Sequence, residues 1–532
     1  MKLLKKLLLH PAILAQTPVI RQAAFDNAID HPGLLLHYLK KGISDIVSTG
    51  APGEEGDNME YGQINEPVLQ TLKEAVGEKN FFVAEAISED YTHDEFSLRE
   101  IARMPTVLVK PETTESVSAV LRIAQENRIP VTPRGGGTGL CGGCIPLFGG
   151  ILLSLEKLAA VEETDTDNMM ITCQGGVRLS DLYAESEKAG LFFPPHPGDE
   201  NAMVGGVIST NAGGSRAVKY GVVRNFVRGM EVVLPGGDIL KIGGKMSKTS
   251  SGYNLLHLFT GSEGTLGVIT RATIALMAPP GAVETLIAPF SSAREAVRAV
   301  LQIMNRGVIP MALELLEGKS IRLLEDKLDM RWPGSEGEFF LMAILDGPDQ
   351  ASIDQSMGKT AEICAEYGSI NILVADSAVK QREVLHMRSM LYEGIKPYTV
   401  ETLDISLPRS ELADHVERVT ALSHEYDIWV PTYGHAADGN LHSHITKVRF
   451  EGNHPEHLDE TEWKPSYERV RDEIHRDAID RGGVVSGEHG IGLVKKKYLK
   501  SFLGERQIEI MRGIKRAFDP HSILNPGKIF DA

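Results

Sequence analysis

Apolar positions recur at two periods along this chain, and the places where the period changes mark its parts. Near the start, Leu3, Leu4, Leu7 and Leu8 recur at helical spacing with Lys2, Lys5 and Lys6 between them. This predicts a short amphipathic helix that ends before Pro11. His10 and Pro11 interrupt what would otherwise be the apolar core of a signal peptide, so export is not expected. Residues 33–41 read as a second helix and residues 48–58, acidic with glycine, as a linker. Residues 1–58 thus form a helical extension, which either packs on the body of the protein or docks on a membrane face or a partner subunit. Further on, Asn65 and Pro67 open a helix that turns Val68, Leu69, Leu72 and Val76 inward, and Gly77 closes it. TVLVKP at 106–111, a helix with Val117, Val120, Leu121 and Ala124 on one face, and PVTP at 130–133 make a β-α-β unit. Short strands follow in GGILLSLEKL, NMMITCQGG, MEVVLPGGDIL and GTLGVITRATIAL, and the Pro235, Gly236, Gly237 corner predicts a hairpin. Residues 194–221 have almost no periodicity and read as one long loop, which at that length is usually functional. From Ala282 longer helices and strands take over, such as AREAVRAVLQIM and GEFFLMAILDG, so a separate domain begins there. The fold class is α+β.

Composition narrows this picture. At 532 residues the chain exceeds one ordinary core, and two or three domains are expected. A net charge of -17 opposes general affinity for nucleic acid or an anionic membrane. No apolar run reaches the roughly 18 residues of a spanning helix, so a cytoplasmic place, at most peripheral at a membrane, is expected. Cys141, Cys144, Cys173 and Cys364 are too few to staple a secreted fold of this size. Cys141 and Cys144 form a CxxC without the second pair that a zinc or iron–sulfur site needs, and no helix follows them as a redox pair requires. Any electrons this chain collects therefore leave through a partner.

Candidate chemistry starts at PRGGGTGLCGG, residues 133–143, where six of eleven residues are glycine. Backbone bared in this way can approach a phosphate closely. Gly137, Gly139 and Gly142 spell GxGxxG with Glu156 some distance on, yet the Rossmann reading fails. That fingerprint needs a helix at its third glycine, and Pro146, Gly149 and Gly150 in CIPLFGGILLSL forbid one. The loop must join strand to strand, with no helix dipole behind its amides.

PRGGGTGL, STNAGGSRAVKYG, SSGYNLLHLFTGSEGTLGVIT and the terminal FDPHSILNPGKIF resemble the FAD-binding domain of the vanillyl-alcohol oxidase and p-cresol methylhydroxylase (PCMH) flavoproteins. Within that group they resemble the FAD-linked D-2-hydroxy acid dehydrogenases, which include D-lactate and D-2-hydroxyglutarate dehydrogenases and the flavin subunit of glycolate oxidase. The motifs fall in the same order from about Met59 to the last residue. The resemblance implies a two-subdomain PCMH-type FAD-binding domain over 59–280, a substrate (cap) domain with an antiparallel sheet over 281–490, and a C-terminal segment, 491–532, that returns to the FAD domain. It places Pro133, Arg134, Gly135, Gly136, Gly137, Thr138 and Gly139 along the FAD pyrophosphate. Pro197, Gly198, Gly205, Asn211, Gly213, Gly214, Tyr220, Glu263, Gly264, Gly267 and Ile269 would line the rest, with Asn525 returning to the flavin from the C-terminus. Members that tether their flavin often place a histidine in the first glycine loop; this loop has none, so non-covalent FAD is expected.

The stretch YGHAADGNLHSHI, residues 433–445, carries the second candidate site. Asp438 and Gly439 suit a two-residue type I′ turn, which pairs Ala437 with Asn440, Ala436 with Leu441 and His435 with His442. Directly opposed residues share a face with Cβ atoms about 4.5–5.5 Å apart, so both imidazoles can reach one divalent metal. With GEHG at 487–490, the candidate ligands are His435, His442 and Glu488, at motif positions the family uses in that way. Two histidines and a carboxylate favour zinc with an open position, with manganese and iron as alternatives. His444 shares the face of His442, as a competing ligand or a supporting group. His489 is the expected general base, provided Gly487, Gly490 and Gly492 let adjacent side chains face one centre. Arg388, in VLHMRSMLYEG, resembles the family's substrate arginine and would pair with a carboxylate; otherwise it is an exposed helix charge.

An α-hydroxy acid requires a cation to lower its hydroxyl pKa, a base for the proton, and a flavin for the hydride. Thr402 stands before DISLP where the 2-hydroxyglutarate branch has lysine, and unless Lys396 substitutes, a distal carboxylate lacks a partner. D-Lactate is thus favoured, with electrons passing to an acceptor protein, such as an electron-transfer flavoprotein, or to a quinone. The alternatives are an oxygen-using oxidase, a D-2-hydroxyglutarate or glycolate dehydrogenase, and a non-catalytic FAD subunit; a homodimer is left open.

Overall fold

Helix α1 (Glu66–Val76) starts at Asn65, whose side chain accepts a hydrogen bond from the Val68 N–H, with Pro67 in its first turn. Val68, Leu72 and Val76 face inward, and Gly77 ends the helix at φ 82°. The structure, a computed structural model, describes residues 61–531 apart from 97, 335, 376 and 453, all within one compact unit. The helices and linker expected in residues 1–58 lie outside the described residues.

Strands β1 (Phe81–Val83), β2 (Val107–Val109), β3 (Val131–Arg134) and β4 (Ile151–Ser154) form a sheet in the order β1-β2-β4-β3. Helix α2 (Thr114–Asn127) crosses from β2 to β3 and buries Val117, Val120, Leu121 and Ala124. The expected β-α-β unit is present, with β4 inserted parallel between its two strands. The chain returns to this sheet at its end: Val131 N–H donates to Ile523 O and Asn525 N–H to Val131 O.

A second sheet is antiparallel throughout and joins β5 (Val161–Asp165), β6 (Met170–Gln174), β7 (Val227–Val233), β8 (Ile239–Gly243) and β9 (Val268–Ala275) in the order β5-β6-β9-β7-β8. The hairpin expected at Pro235–Gly237 links β7 to β8. Residues 194–221, in contrast, are not loop throughout. They hold helix α3 (Val204–Thr210) and a further helical turn at Ala217–Tyr220. Gly205 and Gly206 lower helix propensity and hid α3 from a pattern reading. Packing overrides that penalty: Val204, Val207 and Ile208 are buried. A Cβ on Gly205 would lie 3.0 Å from Gly175 O and 3.1 Å from Ile269 O, so the glycine lets the helix lie against backbone.

The third sheet comprises β10 (Ala282–Phe290), β11 (Ala312–Glu317), β12 (Phe339–Gly347), β13 (Leu373–Val374), β14 (Thr399–Ser406), β15 (Thr432–His435) and β16 (Asn440–Thr446). Its order is β13-β10-β12-β11-β15-β16-β14, and every pairing is antiparallel, as expected of the substrate domain. Alternation splits its residues between two faces. Leu313, Leu315, Leu341, Ala343, Leu403, Ile405, Leu441 and Ile445 pack into a core with helices α4 (Ala293–Asn305), α5 (Leu412–Glu425) and α6 (Glu460–Asp480). The residues between them, Glu314, Met342, Thr402, Asp404, His442 and His444, share the other face with Tyr433 and His435. Among the described residues no helix is long and apolar enough to cross a membrane.

Candidate functional site

The glycine loop runs from the end of β3 to the start of β4 with no helix after it, as its prolines and glycines require. Its glycines are sterically obligatory at two points. Gly137 sits at φ 74° with a virtual Cβ 2.0 Å from Arg134 Nη2, and a Cβ on Gly136 would lie 2.8 Å from Asn201 O. Arg134 braces this loop from behind, donating from Nη1 to His93 O at 2.6 Å and from Nη2 to Asp90 O at 2.8 Å. The loop forms one wall of a cavity of about 1260 Å³, which exceeds the ordinary range of about 300–1,000 Å³ for small-ligand pockets. Pro133, Arg134, Gly135, Gly136, Gly137, Thr138, Gly139, Pro197, Gly198, Gly205, Gly213, Gly214, Glu263, Gly264, Gly267, Ile269 and Asn525 all line it. Asn211 and Tyr220 lie off its wall. Asn211 ends α3 at φ 52° and accepts from the Arg224 N–H, while the Tyr220 hydroxyl donates to Asp346. The cysteines are all free; Arg134 Nη1 donates to Cys144 Sγ at 3.1 Å, and burial pushes the Cys144 thiol up to about 11.

At the other end of the same cavity lie Arg388, His435, His442, Glu488 and His489. The β15–β16 hairpin differs from the expected one: His435 lies opposite Asn440, Gly434 opposite Leu441 and Tyr433 opposite His442. A type I′ turn needs two left-handed residues, and here Gly439 is left-handed at φ 87° while Asp438 is not. Asp438 instead donates its N–H to His435 O and accepts from the Asn440 N–H, giving a four-residue turn over 436–439. The register moves by two residues and keeps the face, so His435 and His442 become diagonal neighbours with ring centroids 5.4 Å apart. His435 Nε2 and His442 Nε2 approach Glu488 Oε1 to 3.6 and 3.4 Å. Bonds of about 2.0–2.1 Å to a tetrahedral cation separate its ligands by about 3.3–3.4 Å, so these donors fit one ion. His444 stands apart from that trio, its Nδ1 3.0 Å from Thr402 Oγ1 and its ring stacked on Tyr433.

Glu488 and His489 face one centre because Asp404 pins the backbone between them. Its Oδ2 accepts from the Glu488 and His489 N–H groups at 3.0 and 2.8 Å and from Ser486 Oγ at 2.7 Å. Gly490 and Gly492 follow at φ 86° and 52°, and the Ile491 and Gly492 N–H groups donate to Glu263. His489 Nε2 lies 3.9 Å from Glu488 Oε1, the oxygen that the other two imidazoles approach. Asp404, His442 and His489 form a second candidate donor group. Asp404 is unsuited to a cation, because Asn440 Nδ2 and Lys495 Nζ add to the three donors its carboxylate already accepts.

The chain matches the family described as FAD linked oxidases, C-terminal domain, over residues 279–529, and the FAD binding domain family over 105–243. It is 39% identical to the D-lactate dehydrogenase of Anaerostipes hadrus, across 88% of this chain and 98% of that protein. It is 44% identical to the D-lactate dehydrogenase of Archaeoglobus fulgidus, across 80% of this chain and 91% of that one. The chain belongs to the FAD-linked D-2-hydroxy acid dehydrogenases. The dehydrogenase shares its fold with p-cresol methylhydroxylase, at a TM-score of 0.70 and 18% identity over 87% of this chain and 96% of that one.

Electrostatics within the dehydrogenase divide its imidazoles. Burial opposes charging His435, but the Glu314 carboxylate outweighs it and holds that histidine well above its ordinary range. Burial likewise opposes the charge on Glu488, and the adjacent His435 and His442 imidazoles hold it well below the carboxylate range. His489 behaves in the opposite way: burial lowers it to about 4, so it is neutral and able to accept a proton. Arg388, near the end of the helix Ala378–Ser389, donates from Nε to Glu314 Oε2 at 3.0 Å and is not an exposed helix charge. Pattern reading missed Glu314, Asp404 and Lys495. For the two carboxylates the signal available was an acidic residue flanked by apolar ones in a strand, Glu314 in LEL and Asp404 in LDI, because a buried charge must be compensated.

Proposed function

We propose that this dehydrogenase oxidises a D-2-hydroxy acid, D-lactate in preference to others, to the 2-oxo acid, with non-covalent FAD and one divalent cation, zinc favoured, held by His435, His442 and Glu488. When bound, FAD supplies a hydride acceptor and the cation a Lewis acid that lowers the pKa of the substrate hydroxyl. His489, neutral through burial, takes the hydroxyl proton at Nε2, the nitrogen nearer the ligand cluster. Arg388 orients the acid: Glu314 engages Nε and Nη2, so the Nη1 edge meets the substrate carboxylate. The glycine loop holds the FAD pyrophosphate through backbone amides, and the absence of histidine from residues 133–143 supports a non-covalent flavin.

The observation that carries this reading is the convergence of three Nε2 atoms on Glu488 Oε1 in the cavity that the glycine loop also lines. Preference for a monocarboxylate rests on Lys396, a cavity residue whose Nζ lies 3.5 Å from both Glu95 and Glu393, so a distal carboxylate would meet acid as well as base. Electrons leave to an external protein or quinone, because the four cysteines lack the spacing to ligate a second redox centre. Anaerobic mixing with D-lactate, glycolate, malate and D-2-hydroxyglutarate, with metal analysis of the same sample, tests the proposal. Flavin bleaching fastest with D-lactate and about one equivalent of metal are expected; flavin that stays yellow with every acid would end it.

A further inference from the structure

Strand β11 lies more than a hundred residues before either histidine motif, yet its Glu314 stands between two of the groups assigned above. Glu314 is 0% exposed and sits directly opposite His435 in the β11–β15 pairing. Its Oε1 accepts from His435 Nδ1 at 2.6 Å, and its Oε2 accepts from Arg388 Nε at 3.0 Å and from Arg388 Nη2. A histidine whose Nδ1 proton is held by a carboxylate turns its Nε2 to the far side of the ring, as the donor that a cation takes once it displaces the proton there. On that side lies Glu488 Oε1, 3.6 Å away. The same carboxylate grips the guanidinium through two nitrogens and so fixes its plane. Arg388 also lies over the Tyr433 ring, 5.5 Å from its centroid, which limits the other positions the fork can take.

We propose that Glu314 is a positioning residue that joins His435 and Arg388 into one unit, so that a single buried carboxylate orients both the cation ligand and the substrate-carboxylate clamp. The inference rests on the roles given to His435 and Arg388 under the proposed function. It adds a consequence those roles do not contain: Arg388, which is no ligand, influences cation affinity, and Glu314, which touches neither cation nor substrate, influences both. Glu314→Gln tests it with little change of volume. The amide keeps one acceptor oxygen: with that oxygen on His435, Arg388 faces an NH2 it cannot donate to, and with it on Arg388 the NH2 donates to His435 Nδ1 and leaves the imidazole proton on Nε2, the nitrogen a cation needs free.

The flavin-loaded enzyme, stripped of metal by a chelator, is titrated with zinc and with manganese while bound metal is measured directly. KM and kcat for D-lactate are then taken at saturating metal. Glu314→Gln is expected to lose about 10–100-fold in metal affinity and to raise KM by tenfold or more, and Glu314→Asp, which keeps two acceptor oxygens, to recover part of both. The metal-free variants should melt within a few degrees of the wild type. Should Glu314→Gln fail to fold, Arg388→Lys decides, because it keeps the charge but not the fork: a several-fold loss of metal affinity supports the link. Metal affinity and KM within twofold of wild type in Glu314→Gln, or an Arg388→Lys enzyme with raised KM and unchanged metal affinity, would overturn it. A wild-type enzyme that takes up no metal instead overturns the ligand reading of His435, and this inference with it, so the two failures are told apart by which protein shows them.

Discussion

At one end of the cavity Gly136 and Gly137 present bare backbone within a single loop; at the other, His435, His442, Glu488 and His489 bring side chains from two strands and a distant loop. The first end works by leaving atoms out, and each position is constrained by what a Cβ would strike. The second works by compensation. Asp404 is fully buried beside Lys495, and Glu314 beside Arg388 and His435, so removing any one member leaves another charge without its partner. The ends should therefore fail differently, one through lost cofactor and the other through lost chemistry with the cofactor still in place.

The largest expected effect is at the side-chain end. His442→Ala should lose both bound metal and turnover while flavin absorbance is retained; loss of flavin as well would show that the two ends are not separable. His489→Ala should keep flavin and metal and slow anaerobic bleaching by about 10²–10⁴-fold, the usual worth of a general base, measured by stopped flow. At the backbone end, Gly136→Ala places a methyl 2.8 Å from Asn201 O. A strain of about 1–3 kcal/mol should weaken FAD binding roughly 5- to 150-fold, with metal content unchanged once FAD is saturating.

The smallest effect belongs to a buried imidazole that neither end uses. His475 on α6 stacks on Tyr498, donates from Nδ1 to Arg471 O and is lowered by burial to about 3. Between pH 6.5 and 3 the unfolded chain binds a proton here that the folded chain does not, so stability is lost as the pH is lowered, by up to about 1.4 kcal/mol per unit. His475→Gln should flatten that slope in denaturant titrations, whereas a slope like that of the wild type would show that the acid loss arises elsewhere, in the paired charges of the site.

Legibility followed the same division. The glycine loop, helix α1, the β-α-β unit and the β7–β8 hairpin could all be read from short stretches, because turn glycines, caps and periodicity act over a few residues. Helix α3 escaped, because the backbone contact that requires Gly205 involves Gly175 and Ile269, both distant in the chain. The register of β15 against β16 escaped by two residues, since the side chain of Asp438 chose the turn; the shared face survived only because two is even. Asn211 and Tyr220 stood in motifs that line the cavity but are turned to Arg224 and Asp346.

Residue order was enough to establish the flavoprotein family, the glycine-bared loop and the imidazoles worth watching, because each depends on local sterics or on motifs carried whole. Which of those imidazoles share a carboxylate oxygen, which aspartate holds the GEHG backbone and which glutamate stands behind both His435 and Arg388 were settled by folding. Those choices depend on strand order and on the compensation of buried charge, and both join residues that no local pattern connects.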